Sequence, residues 1–444
     1  MMKFYLVGGA CRDILMGESP KDFDFVVVEP DEGYFKDWDM VGRDFPVFLE
    51  PTHGWEVAFA RVERKAGTGH KGFVADTKGV TLEEDLLRRD LTMNAIAIEV
   101  DFEATVKLEE PVTVGAWIDP YNGQQDIKSS TLRAVSPAFK EDPLRALRVC
   151  RFMSQKDATI PDQTTVDYIQ EMRSLGELHT LTKERVWGEM EKALKSPNPS
   201  QFFTAAQHYC GMFDNIRWMK NTPQNPVHHP EGDVWVHTVL VMGYAAYYFN
   251  DPEINFACFT HDFGKPEMWE KQENAHGHEE AGLSYIEGFC RRWRIPNSYK
   301  ELALITCEHH TKVHSCFGRD GNNWVKPKSI MKMFEKTGAL SKPDRFKKFL
   351  KACEADAKGR GIFGLTSDNE KSFNAFISKP YPQRQYMIDC LEAVRNMGTK
   401  EISQKMLSEG KDGVSIGLKI REERIKCIRG VQRDWKVKGD SLWD

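Results

Sequence analysis

The spacing of hydrophobic positions changes once along the chain. Up to about residue 136 apolar residues come in short runs cut by turn formers. Lys3–Val7 is one such run and ends on Gly8-Gly9; Phe23–Val28 is a second, rich in Val and Phe; Trp55–Arg61 is a third. Runs of this length and composition predict strands, and the Gly-rich stretch Gly67–Gly72 after the third predicts a loop. From Pro137 onward the spacing becomes helical. Glu141–Phe152 and Lys183–Lys195 repeat apolar residues every three or four positions, as in Val186, Met190 and Leu194. Helical spacing continues to the end, punctuated by turn markers at Asn221–Pro230, Arg319–Pro327 and Ser378–Pro382. No repeat or low-complexity tract interrupts it. The pattern therefore predicts a mixed α/β head followed by a long helical body.

Composition narrows this picture. A chain of 444 residues is too long for one ordinary core, so two to four domains are expected. Hydrophobic residues at 41% and charged residues at 29% describe a globular protein, and no apolar run approaches the ~20 residues of a membrane span. A cytoplasmic protein is expected. Its ten cysteines show no CxxC pair, which predicts reduced and mostly buried thiols. Net charge is −5, so the whole is no polycation. Its end is different: Lys400–Lys438 holds eleven Lys/Arg against six Asp/Glu. Such a segment is either a solvated helix surface or a grip for an RNA backbone.

Chemistry enters at the first turn. Gly8-Gly9 follows a predicted strand and precedes a predicted helix, Ala10–Met16, where glycines let backbone N–H groups approach a phosphate chain. Arg12 lies in the first helical turn. Asp22 and Asp24 follow, one residue apart at the start of a strand, which places both carboxylates on one face. Adjacent carboxylates repel unless a cation lies between them, and phosphoryl transfer through paired Mg²⁺ ions uses that arrangement.

Gly8-Gly9-Ala10-Cys11-Arg12-Asp13 with Asp22-Phe23-Asp24 resembles the signature of the DNA-polymerase-β-like nucleotidyltransferases. Further segments resemble the class II tRNA nucleotidyltransferases, which build or repair the CCA end of tRNA. Arg61–Lys65 and the glycines after it resemble their flexible loop, and Arg88–Ala95 (RRDLTMNA) their RRDxTxNA segment. Asp119–Gly123 (DPYNG) resembles their D-P-x-x-G turn and Glu141–Arg148 (EDPLRALR) their EDxxRxxR helix. The resemblance implies an α+β fold with a small mixed sheet in the head. It also implies that Gly9, Arg12, Arg89, Asp90, Asn94, Arg145 and Arg148 bind the nucleotide. Asp22 and Asp24 would hold Mg²⁺, with Glu56 as a third carboxylate. CTP, ATP and the acceptor arm of tRNA are the implied partners.

Asp142 and Arg145 are three residues apart, which predicts a shared helix face. The default for such a spacing is an intrahelical ion pair. A second use exists, because cytosine and adenine both present an amino donor beside a ring-nitrogen acceptor. A carboxylate and a guanidinium match that order, while guanine and uracil would leave both unpaired. The resemblance implies that the pair selects CTP and ATP in this way.

A second constellation spans the body. His237 lies on the apolar stretch Val234–Phe249, followed by His261-Asp262, His278, His309-His310 and Asp356. Mixed imidazole and carboxylate donors suit Mn, Fe, Co, Ni or Zn. The spacing H…HD…D resembles the HD phosphohydrolase superfamily, and His278 and His310 match the extra ligands of its multi-metal members. The resemblance implies a divalent transition metal (Ni, Mn, Co or similar) and 2′,3′-cyclic phosphodiesterase, 2′-nucleotidase and phosphatase activities. Three departures from the pattern stand out: Cys11 replaces a β-branched residue, Phe263 follows the His-Asp pair, and Asp101–Gly115 is long, which predicts an extended hairpin.

The expected division is a nucleotidyltransferase head (1–138), a neck carrying the base-reading helix (139–225), an HD domain (226–360) and a basic helical tail (361–444). The tail would grip the acceptor arm, and a monomer or weak homo-oligomer is expected. The rival readings are a poly(A) polymerase of the same superfamily and a nucleotide phosphohydrolase whose head only senses nucleotides.

Overall fold

The computed structural model describes residues 2–42, 46–65, 73–156, 158–318, 323–361 and 374–438. The expected loop 67–72 and part of the marker 319–327 lie outside the described residues. So do the side chains of 63–65, within the segment that resembles a flexible loop. The chain forms two compact units: 1–189 with 205–212, and 190–204 with 213–444.

The first unit is built on strands β1 (Lys3–Val7), β2 (Asp24–Val28), β3 (Asp39–Val41), β4 (Val47–Leu49), β5 (Glu56–Phe59), β6 (Val62–Lys65), β7 (Phe73–Asp76) and β8 (Ala97–Val100). Six of them form one sheet in the order β3-β4-β5-β2-β1-β8, and β6 pairs with β7 separately. β1 runs antiparallel to both neighbours, whereas β2 and β5 are parallel. Both faces of the sheet are covered, which is why β1 and β2 read as unbroken apolar runs. Phe4, Leu6, Phe25 and Val27 enter one core with Phe102, and Tyr5, Val7 and Val26 enter another with Leu82 and Leu86.

Two expectations change here. The segment after β8 is a helix, Phe102–Leu108, rather than an extended hairpin. Asp101 caps it by accepting from the Ala104 N–H, and Phe102 stacks on Phe4 with ring centroids 4.2 Å apart. The helix expected from Glu141 begins instead at Leu144, because Pro143 supplies no N–H and sits at its start; Glu141 ends a 3₁₀ turn, Pro137–Glu141. Asp142 is therefore extended backbone between two helices and shares no helix face with Arg145.

The second unit is helical. Val234–Phe249, Pro252–Thr260, His278–Trp293, Asn297–His314 and Pro343–Lys358 pack on one another, around a core that includes Phe203, Phe256, Phe259 and Phe289. Phe263, after the His-Asp pair, joins this core beside Phe259 and Phe289. Beyond them lie the helices Pro382–Arg395, Lys400–Ser408 and Gly413–Lys438. No helix of the described residues is long and apolar enough to cross a membrane. Nine cysteines are buried and Cys427 is half-buried, all of them free.

Candidate functional sites

The head site lies where β1, β2 and β5 meet the first helix, Gly9–Leu15. The parallel register sets Asp24 directly against Glu56. Burial lifts the Asp24 carboxyl above its ordinary value, and the Glu56 charge lifts it further. Arg89 opposes this, and Asp22, in the bend just before the strand, adds to it. A buried carboxylate raised in this way, with two more beside it at the mouth of a Gly-Gly turn, fits a divalent cation. Gly8 has φ +71°, and a Cβ there would meet the Arg89 guanidinium at 3.0 Å. Only glycine allows this backbone to pass so close to a cation beside Asp24.

Arg89 is held from below by Asp85, a buried carboxylate that accepts from Arg89 at 3.2 Å and from Arg88 at 3.1 Å. A chain of polar contacts leads on from the turn. Arg12 donates to Asp13 Oδ1 at 2.6 and 2.9 Å and to Asn94 Oδ1 at 2.8 Å. Asn94 donates to Asp90 at 3.0 Å, and Arg148 Nε donates to the other Asp90 oxygen at 2.7 Å. Burial alone would raise the Asp90 carboxyl; Arg148, Asn94 and Arg145 outweigh it and hold the group far below its usual range. Phe152 floors this chain, with the Arg12, Arg148 and Arg151 guanidinium carbons 5.2, 5.8 and 4.2 Å from its ring centroid. Gly9 lies 3.7 Å from Arg12 Nη2, measured from where its Cβ would stand. The structure thus brings Gly9, Arg12, Asp24, Glu56, Arg89, Asp90, Asn94 and Arg148 into one network with Asp22 at its edge. Cys11, beneath the turn, is buried with its thiol pushed up to about 12, so it is no nucleophile.

Asp142 is gripped by a residue that spacing did not suggest. Arg185, on the helix Lys183–Leu194, donates to both Asp142 oxygens at 2.7 and 3.1 Å. Arg145 is anchored through Nη1 to the Ala138 carbonyl at 2.9 Å. Asp85, Phe152 and Arg185 were not found from the sequence. Asp85 lies three and four residues before Arg88 and Arg89 and Phe152 four after Arg148, so helical spacing was the available signal for both, whereas no local periodicity links Arg185 to Asp142.

The second site is buried in the helical unit. His237, His261 and Asp356 present donor atoms within 4.8 Å of one another, and Asp262, His278 and His310 form another such group. His237 Nε2 lies 3.0 Å from Asp356, His261 Nε2 3.1 Å from Asp262, and His278 Nε2 3.4 Å from Asp262. The far sides of the rings are fixed. The Nδ1 of His261 faces the Cys258 carbonyl at 2.7 Å, that of His278 the Ala275 carbonyl at 2.8 Å, and that of His310 the Thr306 and Cys307 carbonyls at 3.0 Å. Backbone acceptors behind the rings place the protons on Nδ1 and aim Nε2 lone pairs inward, the usual arrangement for metal ligands. Both Asp262 oxygens and His261 Nε2 are buried without a hydrogen-bond partner among the described residues, although Lys265 stands 2.7 Å from Asp262. Ligand types, tautomers and orphaned atoms all fit divalent metal.

Two groups missed from the sequence adjoin this site. His314, one turn beyond His310, lies 2.6 Å from Asp356, and the i,i+4 spacing was the available signal. Glu231 stands 2.8 Å from His237 and 2.9 Å from His229, and nothing in the preceding turn pointed to it.

The mixed sheet with paired carboxylates beside a Gly-Gly turn, joined to a mostly helical remainder, defines a nucleotidyltransferase head of the DNA-polymerase-β-like class. Residues 4–133 match the family model described as the poly A polymerase head domain, and 161–216 the one described as a probable RNA and SrmB-binding site of polymerase A. The Multifunctional CCA protein of Thioalkalivibrio sulfidiphilus is 38% identical over 98% of this chain and 100% of its own length. That of Hahella chejuensis is 36% identical over 98% of this chain and 96% of its own. The chain belongs to the family of multifunctional CCA proteins. Its fold is shared with a CCA-adding enzyme of Bacillus stearothermophilus solved in complex with CTP, at TM-score 0.59, 19% identity, and 97% and 89% coverage of this chain and that one.

Proposed function

We propose that the chain adds C, C and A to the 3′ end of tRNA without a template, using CTP and ATP, and that its second site hydrolyses phosphoesters at damaged tRNA ends. The observation that carries the first part is the in-register pair Asp24 and Glu56 at a glycine turn closed over by Arg89. Asp22, Asp24 and Glu56 would hold Mg²⁺, which when bound lowers the pKa of the attacking hydroxyl and neutralises triphosphate charge. Arg89 and Arg12 would face the triphosphate. Each is held by a carboxylate behind it, so its geometry is set before the nucleotide arrives. Asp90 and Arg148 extend this brace toward the base.

Base choice falls to Asp142 and Arg145. A carboxylate accepts at about four sites, so the grip of Arg185 orients Asp142 rather than saturating it. Asp142 would accept from the amino group of cytosine or adenine while Arg145 donates to the ring nitrogen. The division into head, neck, HD domain and tail is part of this reading. The tail contributes basic residues to acceptor-arm phosphates, since an A-form major groove is closed to side chains. A protein of this function works in the cytoplasm.

The test is purified protein with Mg²⁺, labelled CTP and ATP, and tRNA lacking its CCA. Stepwise addition of C, C and A, absent in Asp22→Ala, is expected. Addition of A alone in runs would instead make the chain a polyadenylating enzyme, and no addition would leave only the phosphohydrolase. For the second site, opening of 2′,3′-cyclic phosphate ends in the presence of Ni²⁺, Mn²⁺ or Co²⁺, lost in Asp262→Ala, is the expected result.

A further inference from the structure

The cavity beside the His-Asp cluster is larger than metal binding requires. It encloses about 1380 Å³, whereas small-molecule sites commonly run to about 300–1,000 Å³. Its lining includes Asp356, His310 and His314 of the cluster together with Trp269, Asn274 and Arg360. Lys265 is committed, lying 2.7 Å from Asp262 and donating to Gln224 at 2.6 Å. Arg360 is not held so closely. It follows the end of the helix Pro343–Lys358, and its guanidinium stands 3.7 Å from Asp356 Oδ1. Its contacts to the Asp356 and His228 carbonyls are both 3.4 Å, long for a guanidinium donor. Trp269, in the same lining, is half-buried and makes no ring contact among the described residues.

We propose that this cavity is a nucleotide subsite in which Arg360 donates to a non-bridging oxygen of the phosphoester and Trp269 takes the flat face of the base. The substrate class is a terminal nucleotide carrying a cyclic or monoester phosphate, and the proposal rests on the phosphohydrolase reading above. Planar guanidinium suits phosphate beside Asp356, where the ester must sit to be hydrolysed. An indole in the same lining stacks on any base, which suits RNA ends of varied sequence.

The experiment compares hydrolysis of 2′,3′-cyclic AMP with that of glycerol 1,2-cyclic phosphate, which has no base, by the Ni²⁺- or Mn²⁺-loaded full chain. Arg360→Ala is expected to lower kcat/KM for both by about 30-fold with bound metal unchanged, and Arg360→Lys to recover part of it. Trp269→Ala is expected to lower the preference for the nucleotide, taken as the ratio of the two kcat/KM values, by about tenfold. Loss of metal in step with activity in Arg360→Ala, or an unchanged ratio in Trp269→Ala, overturns the proposal. Metal-loaded wild type that hydrolyses neither compound overturns the phosphohydrolase reading together with the subsite. Wild type active on both with unaffected variants overturns the subsite alone.

Discussion

Asp24 carries a conflict that only a ligand resolves. Its carboxyl is raised by burial, then by Glu56 and Asp22, so the ionised form costs the empty fold stability at neutral pH. Asp24→Asn is therefore expected to cut nucleotide addition by about 1,000-fold or more while raising the melting temperature in the absence of metal by about 2–4 °C. Steady-state kinetics beside a thermal melt in a chelator reads both, and a lowered melting temperature would mean that the carboxylates are not strained. Asp90 shows the opposite sign. Its folded-state value is depressed, so its contribution is present above the ordinary carboxyl range and is lost as pH falls below it. Urea unfolding of the wild type should weaken steadily below about pH 4. Asp90→Asn should be less stable at pH 7 by about 3 kcal/mol, with a shallower acid dependence. Equal slopes in the two proteins would remove Asp90 from the acid response.

At the scale of elements, the second site depends on how closely two helices approach. A Cβ on Gly264 would meet the His278 carbonyl oxygen at 2.1 Å, and one on Gly282 would meet Cys307 Sγ at 2.5 Å. The turn after His261-Asp262 and the helix His278–Trp293 can therefore touch, which brings His278 to 3.4 Å from Asp262. Gly264→Ala should separate them, reducing bound metal and costing about 1–3 kcal/mol in the second unit; metal analysis and a melt check it, and full metal occupancy in the variant would show that the spacing is not critical. The elements that were legible in the sequence share a physical cause. β1 and the helix Val234–Phe249 were readable to the residue because most of their residues are buried, apart from Lys3 and from Gly243, Tyr247 and Tyr248, which leaves nearly continuous apolar runs. The His and Asp residues of the second cluster were readable because their types are rare in apolar surroundings. What escaped was set by single residues acting over distance or against local pattern. Pro143 moved the start of the helix that carries Arg145 and Arg148, Asp101 capped a helix where a hairpin was expected, and Arg185 reached Asp142 from 43 residues away.

For the whole molecule, net charge is −5, yet the chain is proposed to handle a polyanion. Attraction must then come from a local surface, and the helix Gly413–Lys438 supplies one. Arg429, Arg433 and Lys436 recur at helical spacing, are exposed, and line one hollow with Gln432. Arg433 lies 3.3 Å from the exposed Asp434, Lys419 and Lys426 lie 3.1 and 2.8 Å from Glu423, and Arg421 lies 2.6 Å from Glu335, so part of the basic count is spent within the protein. If the three exposed cations meet phosphates, each releases counterions on binding, and the salt dependence of tRNA affinity should flatten by about 0.7–0.9 in log–log slope for each one removed. The double variant Arg429→Glu, Arg433→Glu is expected to raise KM for tRNA by about tenfold or more near 0.1 M salt, with KM for CTP and the melting temperature unchanged. The difference from wild type should shrink as salt rises. A variant that binds tRNA as tightly as wild type at low salt would make this helix a solvated surface and leave the RNA grip to be found elsewhere on the chain.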